Sequence, residues 1–226
     1  MPNVYQFKDF EGSSHRILID LINDHLNGSG GRLLDLGASG GQLGAALRNR
    51  FDRTIGFEYD VDRIGELKHH FDQVVITDLE KVRRLPKGIR AIVLADVLEH
   101  LRDPSAILRC VRESLADDGT VFISVPNIAN ITVPLGLLFG VFEYRDRGIL
   151  DNTHLRFYTL RTIRREVENA GFRIVAMRGS SVPVRLIIGR YTPEVLLRAG
   201  ERVLTWVTRL WRGLFAYQII IVAQPK

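Results

Sequence analysis

Two rhythms of apolar residues alternate along this chain. Short apolar runs (Arg32–Leu36, Arg53–Phe57, Gln73–Thr77, Ala91–Ala95 and Thr120–Val125) are separated by stretches whose apolar residues return every three or four positions. Residues 13–27 place Ile17, Leu18, Leu21, Ile22 and Leu26 on one helical face. Residues 42–50 do the same with Leu43, Ala46 and Leu47, and residues 103–115 with Ile107, Leu108, Val111 and Leu115. A helix over 60–70 follows the second run, and Thr159 caps another to Ala170, with Leu160, Ile163 and Val167 inward. Ser13 or Ser14, Asp103 before Pro104, and Gly171 supply the caps and the stop that such helices use. Short apolar strands in alternation with helices predict a parallel sheet covered on both faces. Phe172–Met177 and Ala216–Ala223 add two late strands, so residues 1–226 read as one α/β domain.

The rhythm lapses twice. From Pro126 to Thr153 no regular pattern is visible, and a segment of that length between elements usually serves as a lid or substrate loop; its bounds are taken as 126–158. The second insertion is 182–215. From Pro193 on, Val195, Ala199, Val203, Val207, Leu210 and Leu214 keep helical spacing, and Arg198, Arg202, Arg209 and Arg212 form a separate stripe. Trp206 and Trp211 lie among them. Such a helix either packs its apolar side on this domain or on a second copy of the chain, as a homodimer, or lies on an anionic membrane surface through 193–212.

The ends of the runs carry the chemistry. Four of them close on an acid: Asp35, Glu58, Asp78 and Asp96. In a parallel sheet those ends share one rim, where four carboxylates repel and lose hydration unless a ligand or donors use them. The first run leads into Gly37-Ala38-Ser39-Gly40-Gly41 and then a helix. Glycine lets backbone approach a ligand closely, and a helix start offers N–H groups to polar or anionic atoms. Nucleotide-like ligands bind at such strand ends. The spacing differs from the G-x-G-x-x-G loop of dinucleotide oxidoreductases, and the late strands differ from their second βαβαβ half.

Composition narrows the partners. The 226 residues are 46% hydrophobic and 25% charged, as in a folded domain. A formal net charge of +5 draws weakly toward anions, but no helix-turn-helix, zinc-finger or RNP pattern is visible, so nucleic acid is not an expected partner. The single Cys110 rules out a disulfide framework, and the polar N-terminal residues do not form a secretory signal. The apolar stretch Ile131–Phe142 is interrupted by Pro134, Gly136 and Gly140 and is too short to span a bilayer. A cytoplasmic location is expected, peripheral at the membrane if 193–212 docks there.

Asp35-Leu36-Gly37-Ala38-Ser39-Gly40-Gly41 resembles the first motif of class I S-adenosylmethionine-dependent methyltransferases, commonly D-x-G-x-G-x-G, with Ser39 in place of the middle glycine. Ile55–Asp60 resembles the second motif, Val74–Glu80 the third, Ala95–Leu101 the fourth-strand segment and Asp118–Asn127 the fifth. The resemblance covers most of residues 32–127. It implies a Rossmann-like, doubly wound, seven-stranded and mostly parallel sheet with an antiparallel last strand, and S-adenosylmethionine as cofactor. It also implies roles. Gly37, Ala38, Ser39 and Gly41 run beside the amino acid part of the cofactor, and Asp35 meets its amino group. Glu58 accepts from both ribose hydroxyls and Tyr59 flanks the adenine. Asp78 accepts from the adenine amino group beside the Leu79 backbone, and Asp96 and Val97 lie near the methionine part.

Leu150–Thr159 resembles a segment of a methyltransferase subgroup tied to cell-surface polysaccharide and glycolipid pathways. That implies O-methylation of a sugar or lipid-linked glycan hydroxyl. A quinone or other small acceptor, or cofactor binding without transfer, are the alternatives. His154 is the first candidate base for a hydroxyl proton and His100 the second. Tyr144, Arg145 and Arg156 are candidate acceptor-binding residues, the arginines (with Arg147) suiting an anionic acceptor. His15, near the start of the first helix, is read as a surface residue, with reach to the cofactor mouth as the alternative. The six histidines show neither H-x-x-x-H nor H-x-H spacing and Cys110 stands alone, so no metal site is expected.

Overall fold

Leu34 and Leu36 point to one side of the first strand and Leu33 and Asp35 to the other, and this alternation sets the layers of the molecule. The computed structural model describes residues 12–183 and 192–226. Seven strands form one sheet: β1 (Arg32–Leu36), β2 (Arg53–Glu58), β3 (Gln73–Ile76), β4 (Ile89–Ala95), β5 (Leu115–Pro126), β6 (Phe172–Ser180) and β7 (Gln218–Pro225). Their order is β3-β2-β1-β4-β5-β7-β6. β1 to β5 pair in parallel, and β7 lies antiparallel between β5 and β6. The helices are α1 (Ser14–His25), α2 (Gln42–Leu47), α3 (Ile64–Leu67), α4 (Pro104–Ser114), α5 (Thr132–Leu138), α6 (Leu160–Asn169), α7 (Glu194–Leu210) and α8 (Arg212–Phe215).

Both faces of the sheet are covered, as the alternating pattern predicts. Leu18, Leu21 and Ile22 of α1 and Leu43 and Leu47 of α2 pack with Leu33, Val93 and Phe122 on one face. Ile107, Leu108 and Val111 of α4 and Ile163 and Val167 of α6 pack with Leu34, Leu36 and Ile221 on the other. The expected caps are in place: Ser13 accepts from Arg16 N–H, Asp103 from Ala106 N–H, and Thr159 forms a reciprocal capping box with Thr162.

Differences from the sequence reading have local causes. The helix expected over 60–70 is a 3-10 turn followed by the one-turn α3, because the Asp60 side chain takes the Asp62 N–H and winds the chain tightly. β5 begins at Leu115 rather than Thr120, because Leu115 pairs with Ile89 across an irregularity in the β4 register. β6 runs on to Ser180, paired there with Gln218 of β7.

The insertion over 126–158 is stitched down at its start. Asn127 and Asn130 are fully buried, and their side-chain amides donate to the carbonyls of Gly213, Phe215 and Ala216 around α8. Within the insertion 182–215, residues 184–191 lie outside the described residues. α7 turns Leu197 and Thr208 inward, while Leu196, Val203, Trp206 and Leu210 stay exposed. No helix among the described residues is long and apolar enough to cross a membrane.

Candidate functional site

The four acids at the strand ends line one cavity of about 500 Å³. That volume is in the range of small-molecule sites. Gly37, Ala38 and Ser39 form part of its wall, with Tyr59, Leu79, Val97 and His100. Gly41 stands just outside, as the left-handed residue that starts α2. A Cβ at Gly37 would lie 2.6 Å from the Val97 side chain, and its φ of +83° suits glycine alone.

Ser39 occupies a left-handed conformation, φ +48°, where the resembled motif carries glycine. Its N–H donates to Glu58 Oε2 at 2.6 Å. Glu58 Oε1 accepts from the N–H groups of Tyr59 and Asp60 at 2.9 and 3.1 Å. The glycine turn and the acid at the end of β2 are therefore one hydrogen-bonded unit. Tyr59 itself is 75% exposed at the cavity mouth.

Burial dominates the electrostatics. Asp35 is 2% exposed, and burial, with the Glu58 charge second, pushes its carboxyl up to about 7. Asp78 Oδ1 accepts the Glu80 N–H at 3.0 Å and so caps the following turn while lining the cavity. Asp96 is also left-handed, φ +56°. Ser124 Oγ donates to it at 3.0 Å, and Gln218 Nε2 reaches both of its oxygens at 2.6 Å.

At one end of the cavity the 3-10 turn Leu98–His100 meets the loop 151–156. The Glu99 carbonyl accepts from Leu155 and Arg156 N–H at 2.9 and 3.0 Å. Asp151 Oδ1 accepts from Thr153 N–H at 2.8 Å and from its hydroxyl at 2.6 Å. His100 and His154 meet edge to face with centroids 4.8 Å apart. Burial, and then the neighbouring His100, hold the His154 imidazole below its ordinary value, so it is neutral near pH 7.

The two candidate histidines are thus brought together, His100 in the cavity wall and His154 against it. The proposed acceptor-binding residues are not among those lining the cavity. Arg156 donates to the carbonyls of Leu101 and Arg102, which occupies its guanidinium in holding the loop. Tyr144 meets Phe142 edge to face and Phe157 at a tilt, and Arg145 is exposed, its backbone paired with Leu150 and Asn152. The sequence reading missed Thr153 and Gln42, which line the cavity, and Glu99 behind it; His15, read there as a surface residue, lines the cavity as its alternative allowed. His15 is the second residue of α1, and that helix start brings it to the cavity wall.

The sequence profile of a family described as "Methyltransferase domain" matches residues 10–177. The ubiquinone biosynthesis O-methyltransferase of Aeromonas salmonicida is 28% identical over 173 residues, 72% of this chain and 72% of the relative. The mitochondrial ubiquinone biosynthesis O-methyltransferase of Bos taurus is 29% identical over 122 residues, 50% of this chain and 33% of the relative's length. Among solved structures, the magnesium protoporphyrin IX methyltransferase of Synechocystis with bound SAH aligns with TM-score 0.65 at 15% identity, over 95% of this chain and 83% of that one. A TehB-like SAM-dependent methyltransferase from Corynebacterium glutamicum aligns with TM-score 0.58 at 17% identity, over 96% and 89%. At such identities the likeness speaks for the fold, which is the same seven-stranded one. With the profile covering most of the chain, the chain belongs to the methyltransferase-domain family and is a class I methyltransferase that uses S-adenosylmethionine.

Proposed function

We propose that this enzyme methylates a hydroxyl on a small aromatic acceptor of the quinone-precursor type. The carrying observation is that one cavity joins a wall of carboxylates to an end formed by His100 and Thr153, with His154 adjoining. The relatives reported above are O-methyltransferases of ubiquinone biosynthesis, which supports the same acceptor class. The sugar or lipid-linked glycan expected from Leu150–Thr159 gives way to this reading.

The carboxylate wall fits the cofactor. Asp35, buried next to Glu58, gains most from a positively charged partner, and the amino group of S-adenosylmethionine is one. Glu58 spends three of its roughly four acceptor positions on backbone N–H groups, leaving about one for a ribose hydroxyl rather than the two expected. Tyr59 flanks the adenine. Asp78 Oδ2, 3.6 Å from the exposed Lys81 ammonium, is the oxygen that would meet the adenine amino group beside Leu79, and Asp96 and Val97 border the methionine part.

When bound, the cofactor supplies an electrophilic methyl group on a sulfonium. The chain's task is to hold the acceptor hydroxyl in line with that carbon and to handle its proton. His154 Nδ1 lies 3.1 Å from the Ile149 carbonyl, and His100 Nδ1 3.3 Å from that of Thr153. A carbonyl only accepts, so both rings donate from Nδ1 and present Nε2 lone pairs. The His pair is the part of the cavity equipped for the hydroxyl.

A further surface supports delivery of the acceptor from a lipid phase. Leu138, Phe139, Trp206 and Trp211 are exposed on segments that α8 and the buried Asn127 and Asn130 tie together. On α7 the arginines 198, 202 and 209 lie about a quarter turn from the exposed apolar stripe, as on helices that rest on anionic bilayers.

The test is methyl transfer from labelled S-adenosylmethionine to dihydroxy- and hydroxymethoxybenzene quinols beside free sugars and glycolipids. Label in the aromatic ether is the expected result. Label in glycans only, or no transfer to any phenolic hydroxyl, overturns the acceptor assignment.

A further inference from the structure

Asp96 holds an uncommon place in the cavity wall. It follows the last residue of β4 in the left-handed conformation, which few side chains tolerate. Its N–H donates to the Ser124 carbonyl at 3.0 Å, which ties the turn to β5. Its carboxylate meets two neutral donors. Ser124 Oγ lies 3.0 Å from Oδ1, and Gln218 Nε2 lies 2.6 Å from both oxygens. Among the described residues no lysine or arginine forms an ion pair with it. His154, an imidazole within electrostatic reach, is the neutral ring described above.

The two donors stand where apolar side chains belong. Val222, Ile220 and Gln218 follow one another on the same face of β7, and Phe122 and Ser124 do so on β5. Val222, Ile220 and Phe122 are part of the core beneath α1 and α2. The next place in each row is polar, yet Gln218 is 3% and Ser124 1% exposed. A buried amide or hydroxyl is destabilising unless it is hydrogen-bonded, and here both donate to Asp96. Gln218 is also held at its backbone, its N–H donating to Ser180 Oγ at 3.1 Å. Neutral donors satisfy the lone pairs of a carboxylate and fix its direction without cancelling its charge. An arginine or lysine in their place would cancel it.

We propose that Gln218 is a positioning residue for methyl transfer. With Ser124 it holds Asp96 as an uncancelled negative charge beside the sulfonium, and that charge separates the methyl donor from its product. The proposal rests on the placement of the methionine part beside Asp96 and Val97 given above. In transfer, the methyl carbon bonds to the acceptor oxygen as the C–S bond breaks. The electron pair of that bond stays on sulfur, and the hydroxyl proton goes to the histidine end of the cavity. Sulfur thus passes from a cation to a neutral thioether. S-Adenosylmethionine and S-adenosylhomocysteine share the amino, carboxyl and adenosine groups, so Asp35, Glu58 and Asp78 do not tell them apart. A fixed negative charge at the methionine part does, holding the donor and loosening its grip once the positive charge is gone.

Calorimetric titration of the full chain with S-adenosylmethionine and with S-adenosylhomocysteine reads the ratio of their dissociation constants without turnover. Asp96→Asn should weaken donor binding about tenfold and leave product binding within about twofold, so the product titration also reports that the variant is folded. Gln218→Met, close in volume but unable to donate, should shift the ratio in the same direction by a smaller factor, and so should Ser124→Ala. In the Asp96→Asn background, Gln218→Met should move the ratio no further, because the amide acts through the carboxylate. Equal weakening of both ligands by Asp96→Asn overturns the proposal while keeping Asp96 beside the methionine part, at a group the two ligands share. Unchanged affinity for both removes that placement itself. A shift by Gln218→Met that persists in the Asp96→Asn background overturns the role of the amide.

Discussion

Asp35 and Glu58 illustrate how single side chains store a response to ligand. Asp35 has an ordinary value of 3.8 when unfolded and about 7 when folded. Raised in this way, its contribution to stability is fully present below pH 4 and is lost as pH rises toward 7 and beyond. Asp35→Asn therefore melts higher than the wild type at pH 8, and the difference shrinks toward pH 4. Binding an ammonium beside Asp35 favours its charged form. S-Adenosylhomocysteine titrated at pH 6 should expel close to one proton, read from the dependence of the calorimetric heat on buffer ionisation enthalpy. The release should vanish at pH 8.5 and in Asp35→Asn. Heat independent of buffer at pH 6 would remove Asp35 from the cofactor's amino end.

At the scale of elements, much was legible because the signals are local. Each of β1 to β4 is an apolar run closed by an acid or leading into one, and parallel pairing alone brings those ends to one rim. The glycine turn announced itself, and Ser39 kept the left-handed geometry because Glu58 takes its N–H. What stayed hidden depends on distant partners. The early start of β5 needs Ile89, the guanidinium of Arg156 is spent on carbonyls 54 and 55 positions away, and Glu99 gives no sign of its burial between Leu98 and Leu101. The join between the 126–158 insertion and α8 was equally invisible. Asn130 donates to the Phe215 and Ala216 carbonyls and accepts from Thr132 N–H and hydroxyl. Asn130→Ala strands these groups and should cost about 1–3 kcal/mol, a fall of several degrees in Tm. An unchanged Tm would mean that the join does not hold the insertion.

At the scale of the molecule, the outward faces of α5 and α7 concern where the enzyme works. Leu196, Val203, Trp206 and Leu210 are exposed along α7, beside its arginines. The chain should float with phosphatidylglycerol vesicles at low salt and not with phosphatidylcholine vesicles. Arg198→Glu with Arg202→Glu should leave it at the bottom of the gradient while transfer to a water-soluble quinol continues. Flotation unaffected by the charge reversal would return the stripe to a packing role. The order of the sheet has a different outcome. β7 fills the gap between β5 and β6, and its first residue, Gln218, grips Asp96 at the rim. Gln218 follows β1 to β6 in the chain, so a growing polypeptide carries the glycine turn and Asp96 long before the amide that clamps Asp96 has been synthesised.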